Sequence, residues 1–169
     1  MKIYLLLKSI KIEFCGGKRM NYRIATISDC DTLTELRMHM RKELDAGFNS
    51  ELIYAETLDF FKRNIKNGTH VAFVYEHDRQ LIATVGISLF EVMPTTKYPN
   101  GRTARLMNMY VEPFYRHRGI AKELLNYAMI YAKEHQIGKV MLNPSPMGKS
   151  LYENYGFQLL SDEYVFYLH

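Results

Sequence analysis

Apolar residues recur along this chain in two rhythms, and the switches between them mark its elements. Tyr22 to Ile27 alternates as a strand does, and Ser28-Asp29-Cys30-Asp31 reads as a helix N-cap with an acid three residues on. Leu33, Leu36, Met40 and Leu44 follow at spacings of three and four, which predicts a helix with one apolar face, ended by Gly47. A second helix is predicted from Glu51 to Lys66, with Ile53, Leu58 and Phe61 as buried positions and Asn67-Gly68 as its stop.

The rhythm then changes. Val71 to Tyr75 is short, apolar and β-branched, His77-Asp78-Arg79 makes a turn, and Leu81 to Phe90 is a second β-prone run. Strands joined so closely should form an antiparallel hairpin. Gly86 within the second strand predicts a bulge or a close backbone approach. Met93 to Arg102, with two prolines and Asn-Gly, reads as a mobile loop. Arg105 to Glu112 is a strand again. From Gly119 a helix is expected, with Ile120, Leu124, Tyr127, Ala128 and Tyr131 on one face and Gly138 closing it. Lys139 to Leu142 is a further strand. Ser145 and Pro146 fit the N-cap and N1 positions of a helix that stops at Gly156, with Leu151 and Tyr155 toward the core. Phe157 to Leu168 reads as one or two last strands.

The resulting order is β-α-α-β-β-β-α-β-α-β, without internal repeats and without the strict alternation of a doubly wound sheet. An antiparallel meander followed by a crossover helix predicts an α/β fold, a mixed and mostly antiparallel sheet with helices on both faces. One domain over residues 20–169 is expected. Residues 1–19 are read as an N-terminal extension outside it. The Gly16-Gly17 codons can hold a purine-rich ribosome-binding site, so translation is expected to begin at Met20; an extra edge strand from Lys2 to Phe14 is the alternative.

Composition narrows the class. A hydrophobic fraction of 47% over 169 residues is that of a globular domain able to bury a core without staples. Cys15 and Cys30 have no metal-ligand spacing and the six histidines are scattered, so no zinc site is expected and a reduced, cytoplasmic protein is. No run approaches the ~20 apolar residues of a membrane span. The apolar stretch Ile3 to Leu7 is broken by Lys8 and Lys11 without a cleavage site after it, which argues against secretion. The net charge of +4 suits a nucleic acid or a basic cleft for a polyphosphate equally well.

Two stretches carry chemistry. In Asn108 to Lys122 a strand runs into a basic turn and then an amphipathic helix. A helix N-terminus offers unsatisfied N–H groups and about half a positive charge. Arg116, Arg118 and Lys122 add full charges, while Gly119 and Ala121 let a ligand approach the backbone, which suits a pyrophosphate. Solvated arginines at an ordinary helix start are the plainer reading. In the second stretch, Leu142 to Phe157, Tyr152 points away from Leu151 and Tyr155. A tyrosine hydroxyl, with a free pKa near ~10, can protonate a leaving thiolate; it can equally serve packing.

Together, Arg116-His117-Arg118-Gly119-Ile120-Ala121 and Leu151-Tyr152-Glu153-Asn154-Tyr155-Gly156-Phe157 resemble the Q/R-x-x-G-x-G/A loop and the LYEKLGF-type signature of the GCN5-related N-acetyltransferase (GNAT) superfamily. The resemblance implies the GNAT acyl-CoA N-acyltransferase fold from Tyr22 onward and acetyl-CoA as co-substrate. It further implies that Met109, Tyr110 and Val111 meet the pantetheine arm and thioester, that the N–H groups of Arg118 to Ala121 hold the pyrophosphate with Arg116, His117 and Lys122 around it, and that Asn143 hydrogen-bonds the cofactor across a splay between two strands. Tyr152 would be the general acid. Glu91 and Glu112 are conceivable bases, and neither is assigned.

The implied activity is acetyl transfer to a primary amine of a small molecule or peptide by direct attack. The acceptor would be met by Arg37 to Ile53 and Met93 to Arg102, where Tyr54, Tyr98, Glu43, Asp45 and Glu51 offer partners for a cationic amine or are plain surface. A non-catalytic acetyl-CoA-binding regulator on the same fold is the alternative. A nucleic-acid-binding domain is a third reading and is not the expectation. A homodimer paired through Tyr164 to Leu168 is conceivable.

Overall fold

The computed structural model describes residues 13–15 and 18–160. Its six strands are β1 (Glu13–Cys15), β2 (Lys18–Ile24), β3 (His70–His77), β4 (Gln80–Glu91), β5 (Arg102–Val111) and β6 (Lys139–Met141). They lie in sequence order across the sheet. All neighbours are antiparallel except β5 and β6, which are parallel and joined by a crossover helix. The four α-helices are α1 (Cys30–Leu44), α2 (Glu51–Asn67), α3 (Ile120–Glu134) and α4 (Lys149–Tyr155).

The first expected strand, Tyr22 to Ile27, instead begins at Lys18 and ends at Ile24, paired with β1 through Glu13↔Met20. Ile27–Asp29 form a short 3-10 turn rather than strand. The helix start follows a different box from the one expected at Ser28 to Asp31: the Asp29 carboxylate accepts from the Thr26 N–H at 2.7 Å and its hydroxyl at 3.0 Å. Arg23 adds two further donors to the same carboxylate. The predicted final strand is irregular over 157–160. Its remainder, with the dimer surface at Tyr164 to Leu168, lies outside the described residues, as does the extension strand before Glu13.

Each face of the sheet buries its own core. On one, Leu124, Leu125 and Ala128 of α3 pack on Val85, Ile87, Ala104 and Leu106, joined by Tyr152. On the other, Cys30 and Leu33 of α1 and Phe61 of α2 pack on Ala72 and Val74. Each buried leucine, valine, isoleucine or phenylalanine among them contributes about 1.5–3 kcal/mol through burial. The apolar face predicted for α1 holds at Leu33 and Leu36, but Met38 replaces Met40 in the core and Leu44 is exposed. Met40 and Leu44 line a cleft instead.

Helix α4 departs most from expectation. It starts at Lys149, after a turn in which the Gly148 N–H donates to the Ser145 carbonyl at 3.0 Å, so Ser145 and Pro146 precede the helix. Its buried residue is Tyr152, while Leu151 is half-buried and Tyr155 exposed. The aromatic edge of Phe157 against Tyr152, 5.8 Å between centroids, turns that face inward.

Candidate active site

The site grows out of an irregularity in β5. Thr84 pairs with Tyr110 and Gly86 with Met107, so β5 carries one residue more than β4 across this step. Asn108 takes the left-handed conformation, φ 55°, that such a bulge demands, and asparagine tolerates it better than a branched residue. The side-chain alternation resets there. Met107 lines a cavity with residues of α1 and α2, and Tyr110, three residues on, reaches Glu43 of α1.

Beyond the bulge the sheet opens. β6 pairs with β5 only from Thr103↔Lys139 to Arg105↔Met141. From Leu106 to Val111 the edge of β5 away from β4 has no partner strand among the described residues, which leaves backbone groups facing a cleft of about 450 Å³. The Val111 carbonyl is engaged by Arg116 Nε at 2.8 Å. Asn143, across the opening, accepts from Arg105 Nη1 at 2.6 Å and lines the cleft.

At the far end of β5, Gly119 caps α3 with φ 80°, a conformation costly for other residues. The first helical bond there runs from the Glu123 N–H to the Gly119 carbonyl, so the preceding amides have no helical acceptor. Ala121 faces the cleft, while Ile120 is buried in the core and contributes main chain only. His117, Arg118 and Lys122 are exposed around this turn. Arg118 donates to the Phe114 carbonyl and lies over the Phe114 and Tyr115 rings.

Arg116 is held elsewhere. Its guanidinium grips both oxygens of Glu43, at 2.8 and 2.7 Å, and so ties the loop to α1. Tyr110 donates toward Glu43 at 3.1 Å, with Glu112 at 3.3 Å. Burial and these two carboxylates push the Tyr110 hydroxyl well above its ordinary pKa. Glu112 also meets His39 at 2.8 Å.

Tyr152 stands on the wall of the cleft, 7% exposed. Burial pushes its pKa up to about 12, so the hydroxyl keeps its proton at neutral pH. Of the residues expected from the sequence, Met109, Tyr110, Val111, Arg116, Ala121, Asn143 and Tyr152 share this cleft.

A family model described as acetyltransferase (GNAT) family matches residues 33–157, most of the chain. The chain belongs to the GNAT acetyltransferase family. A solved predicted acetyltransferase with acetyl-CoA from Clostridium acetobutylicum shares 32% identity, with a TM-score of 0.78 over 88% of this chain and 96% of that one. A GCN5-related N-acetyltransferase from Ralstonia eutropha is 25% identical, with a TM-score of 0.79 over 88% and 98%. Glucosamine-6-phosphate N-acetyltransferase from Arabidopsis thaliana, at 19% identity and a TM-score of 0.66 over 89% and 99%, shares the fold. No curated protein matches.

As a GNAT enzyme the protein uses acetyl-CoA as co-substrate, and the cleft suits it: an unpaired strand edge beside unsatisfied helix-start amides. The acceptor-side residues expected from the sequence divide. Glu43 is taken up by Arg116 and Tyr110, Asp45 accepts from the Gly47 amide, and Glu51 is exposed. Tyr54 is half-buried on α2. Tyr98 packs against Gly138 at the start of β5, away from the bulge. The loop around it is tied down, by Asn100 to the Gln136 carbonyl and by Arg102 to the His135 carbonyl.

Sequence reasoning missed a second cavity of about 310 Å³ under α1 and α2, which shares Met107 and Asn108 with the cleft. Arg37 and His70 line it. A signal existed for His70: it faces Gly86, where an added Cβ would sit 2.5 Å from the imidazole. Of the bulge or close backbone approach expected at Gly86, the register shift beside it is the bulge, and the His70 ring packs on the glycine's own backbone.

Proposed function

We propose that this GNAT acetyltransferase moves an acetyl group onto the primary amine of a small molecule by direct attack, with Tyr152 as general acid. The observation that carries the reading is the Tyr152 side chain, buried and lining the cleft where β5 and β6 part, with burial favouring the protonated hydroxyl. Acetyl-CoA supplies the thioester. The free edge of β5 near Met109 and Tyr110 orients its acyl end, and the amides from Arg118 to Ala121 receive its phosphates. Asn143, just beyond the end of β6, contributes from the opposite side. The amine nitrogen bonds to the acetyl carbon as the carbon–sulfur bond breaks, Tyr152 gives its proton to the departing sulfur, and the proton lost by the nitrogen passes to solvent, from which Tyr152 is reprotonated.

Arg116 belongs to this proposal in a modified role. Bound to Glu43 and the Val111 carbonyl, it shapes the phosphate loop. A cytoplasmic location is supported by the free, buried Cys30. Among the described residues no helix is long and apolar enough to cross a membrane.

Tyr152→Phe tests the mechanism. The expected result is a fall in kcat of about 100-fold with acetyl-CoA affinity nearly unchanged. An unaltered kcat at saturating substrates removes Tyr152 from the chemistry.

A further inference from the structure

The cavity under α1 and α2 opens beside the bulge at Asn108, next to the cleft assigned to acetyl-CoA. It is where an acceptor would meet the acyl end, and its lining is specific. Ile53, Phe60 and Phe61 make apolar walls, while Thr57 and His70 are buried polar residues. His70 donates to or accepts from Ser88 Oγ through Nδ1 at 2.8 Å, and its Nε2 has no partner among the described residues.

Arg37 decides what kind of molecule fits. Arg23 and Arg116, likewise half-buried, each grip a carboxylate. Arg37 has none within ion-pair distance among the described residues; its contact is Asn108 Oδ1 at 3.5 Å, the limit of a hydrogen bond. Burial and the neighbouring Arg41 both lower its pKa, so nothing nearby compensates its charge. Glu56 lines the same cavity but is exposed and not paired with it. A half-buried guanidinium without a counter-charge is costly, and its planar fork matches the two oxygens of a carboxylate or phosphate.

We infer that the acceptor is a small amine that also carries an oxyanion, seated on Arg37 with its nitrogen directed to the Asn108 bulge. This rests on the acetyl-transfer reading. The same charge disfavours polycations such as polyamines and aminoglycosides, whose ammonium groups would face Arg37 in the cavity and Arg41 in the adjoining cleft. The apolar walls and limited volume favour one compact molecule over a folded protein's surface.

The test uses the full chain, acetyl-CoA and matched acceptors: phenylalanine against phenethylamine, β-alanine against propylamine, phosphoethanolamine against ethanolamine, with spermidine and kanamycin as polycations. Thiol release and product mass are measured. The expected result is a kcat/KM at least about 10-fold higher for the oxyanion-bearing member of a pair, and the productive pair identifies carboxylate or phosphate. In Arg37→Gln this ratio should collapse toward one, and Arg37→Lys should keep part of it. Should Arg37→Gln not fold, the lysine variant carries the test, since an ammonium lacks the fork. Preference for neutral amines or polycations overturns the proposal, as does a ratio unchanged in a folded Arg37 variant. So does the absence of any acetylated oxyanion-bearing amine while acetyl-CoA still raises the melting temperature, an outcome that leaves the acetyltransferase reading standing. If acetyl-CoA neither stabilises the protein nor is turned over, the acetyltransferase reading itself fails, and this proposal with it.

Discussion

Burial acts on Tyr152 and His70 in opposite directions on the pKa scale, but in both it favours the neutral form. For Tyr152 that form is the acid the proposed mechanism requires, so with the hydroxyl at about 12 no loss of kcat through its ionisation is expected between pH 7 and 10; a pH profile checks this. For His70, burial is the larger cause and Arg37 the smaller, and together they bring the imidazole to about 4. The unfolded histidine, near 6.5, then binds its proton first as pH falls. Stability is full above pH 6.5 and declines toward pH 4, by on the order of 2–3 kcal/mol. Denaturant titrations at several pH values should show a shallower decline in His70→Asn than in the parent. Equal slopes would mean that the ring takes up its proton without unfolding. Tyr152 was legible as part of a spaced motif. Arg37 was not, because one arginine on an amphipathic helix has the same sequence signature whether it faces solvent or a cavity. Only the missing carboxylate, a fact of three dimensions, sets it apart from Arg23 and Arg116.

Elements were read well where a periodic pattern and a stop residue agreed. Helix α2 runs Glu51–Asn67 and closes at Gly68, one residue beyond the expected end. Helix α4 was misplaced because Ser145-Pro146 satisfies helix-start rules locally, yet a turn intervenes before Lys149. The first strand was clipped for a similar reason: Lys18 to Asn21 carries too few apolar residues to show alternation, and pairing with β1 and β3 supplies what periodicity lacks. The bulge was expected at Gly86 and lies there, but that its extra residue falls on β5 was not read, although a polar Asn108 amid Leu106, Met107, Met109 and Tyr110 is its mark. Its left-handed backbone makes a sharp prediction. Asn108→Gly should alter stability by less than about 1 kcal/mol, whereas Asn108→Val should cost about 1–3 kcal/mol. Chemical denaturation of the two variants measures the difference. In the core, Leu124→Ala should cost about 2–5 kcal/mol, since α3 is fixed to the sheet by fully buried side chains.

At the scale of the molecule, the proposed acetyl-CoA site draws on three separate elements: the β5 edge, the α3 start and the segment at Asn143 beyond β6. Ligand at about 100 times its dissociation constant should add ~2.7 kcal/mol of stability, read as a raised melting temperature that NAD does not reproduce. The two halves of the proposed site are also made of different material. The acetyl-CoA half is largely peptide backbone, offered by a strand edge and a helix start whatever their side chains. The acceptor half is side chains, Arg37, Ile53, Thr57 and Phe60, on two helices that lie over the sheet. Substitution can therefore rewrite one half and leave the other untouched. A lineage built on this scaffold would inherit its donor unchanged and be free to exchange its acceptor one helix residue at a time.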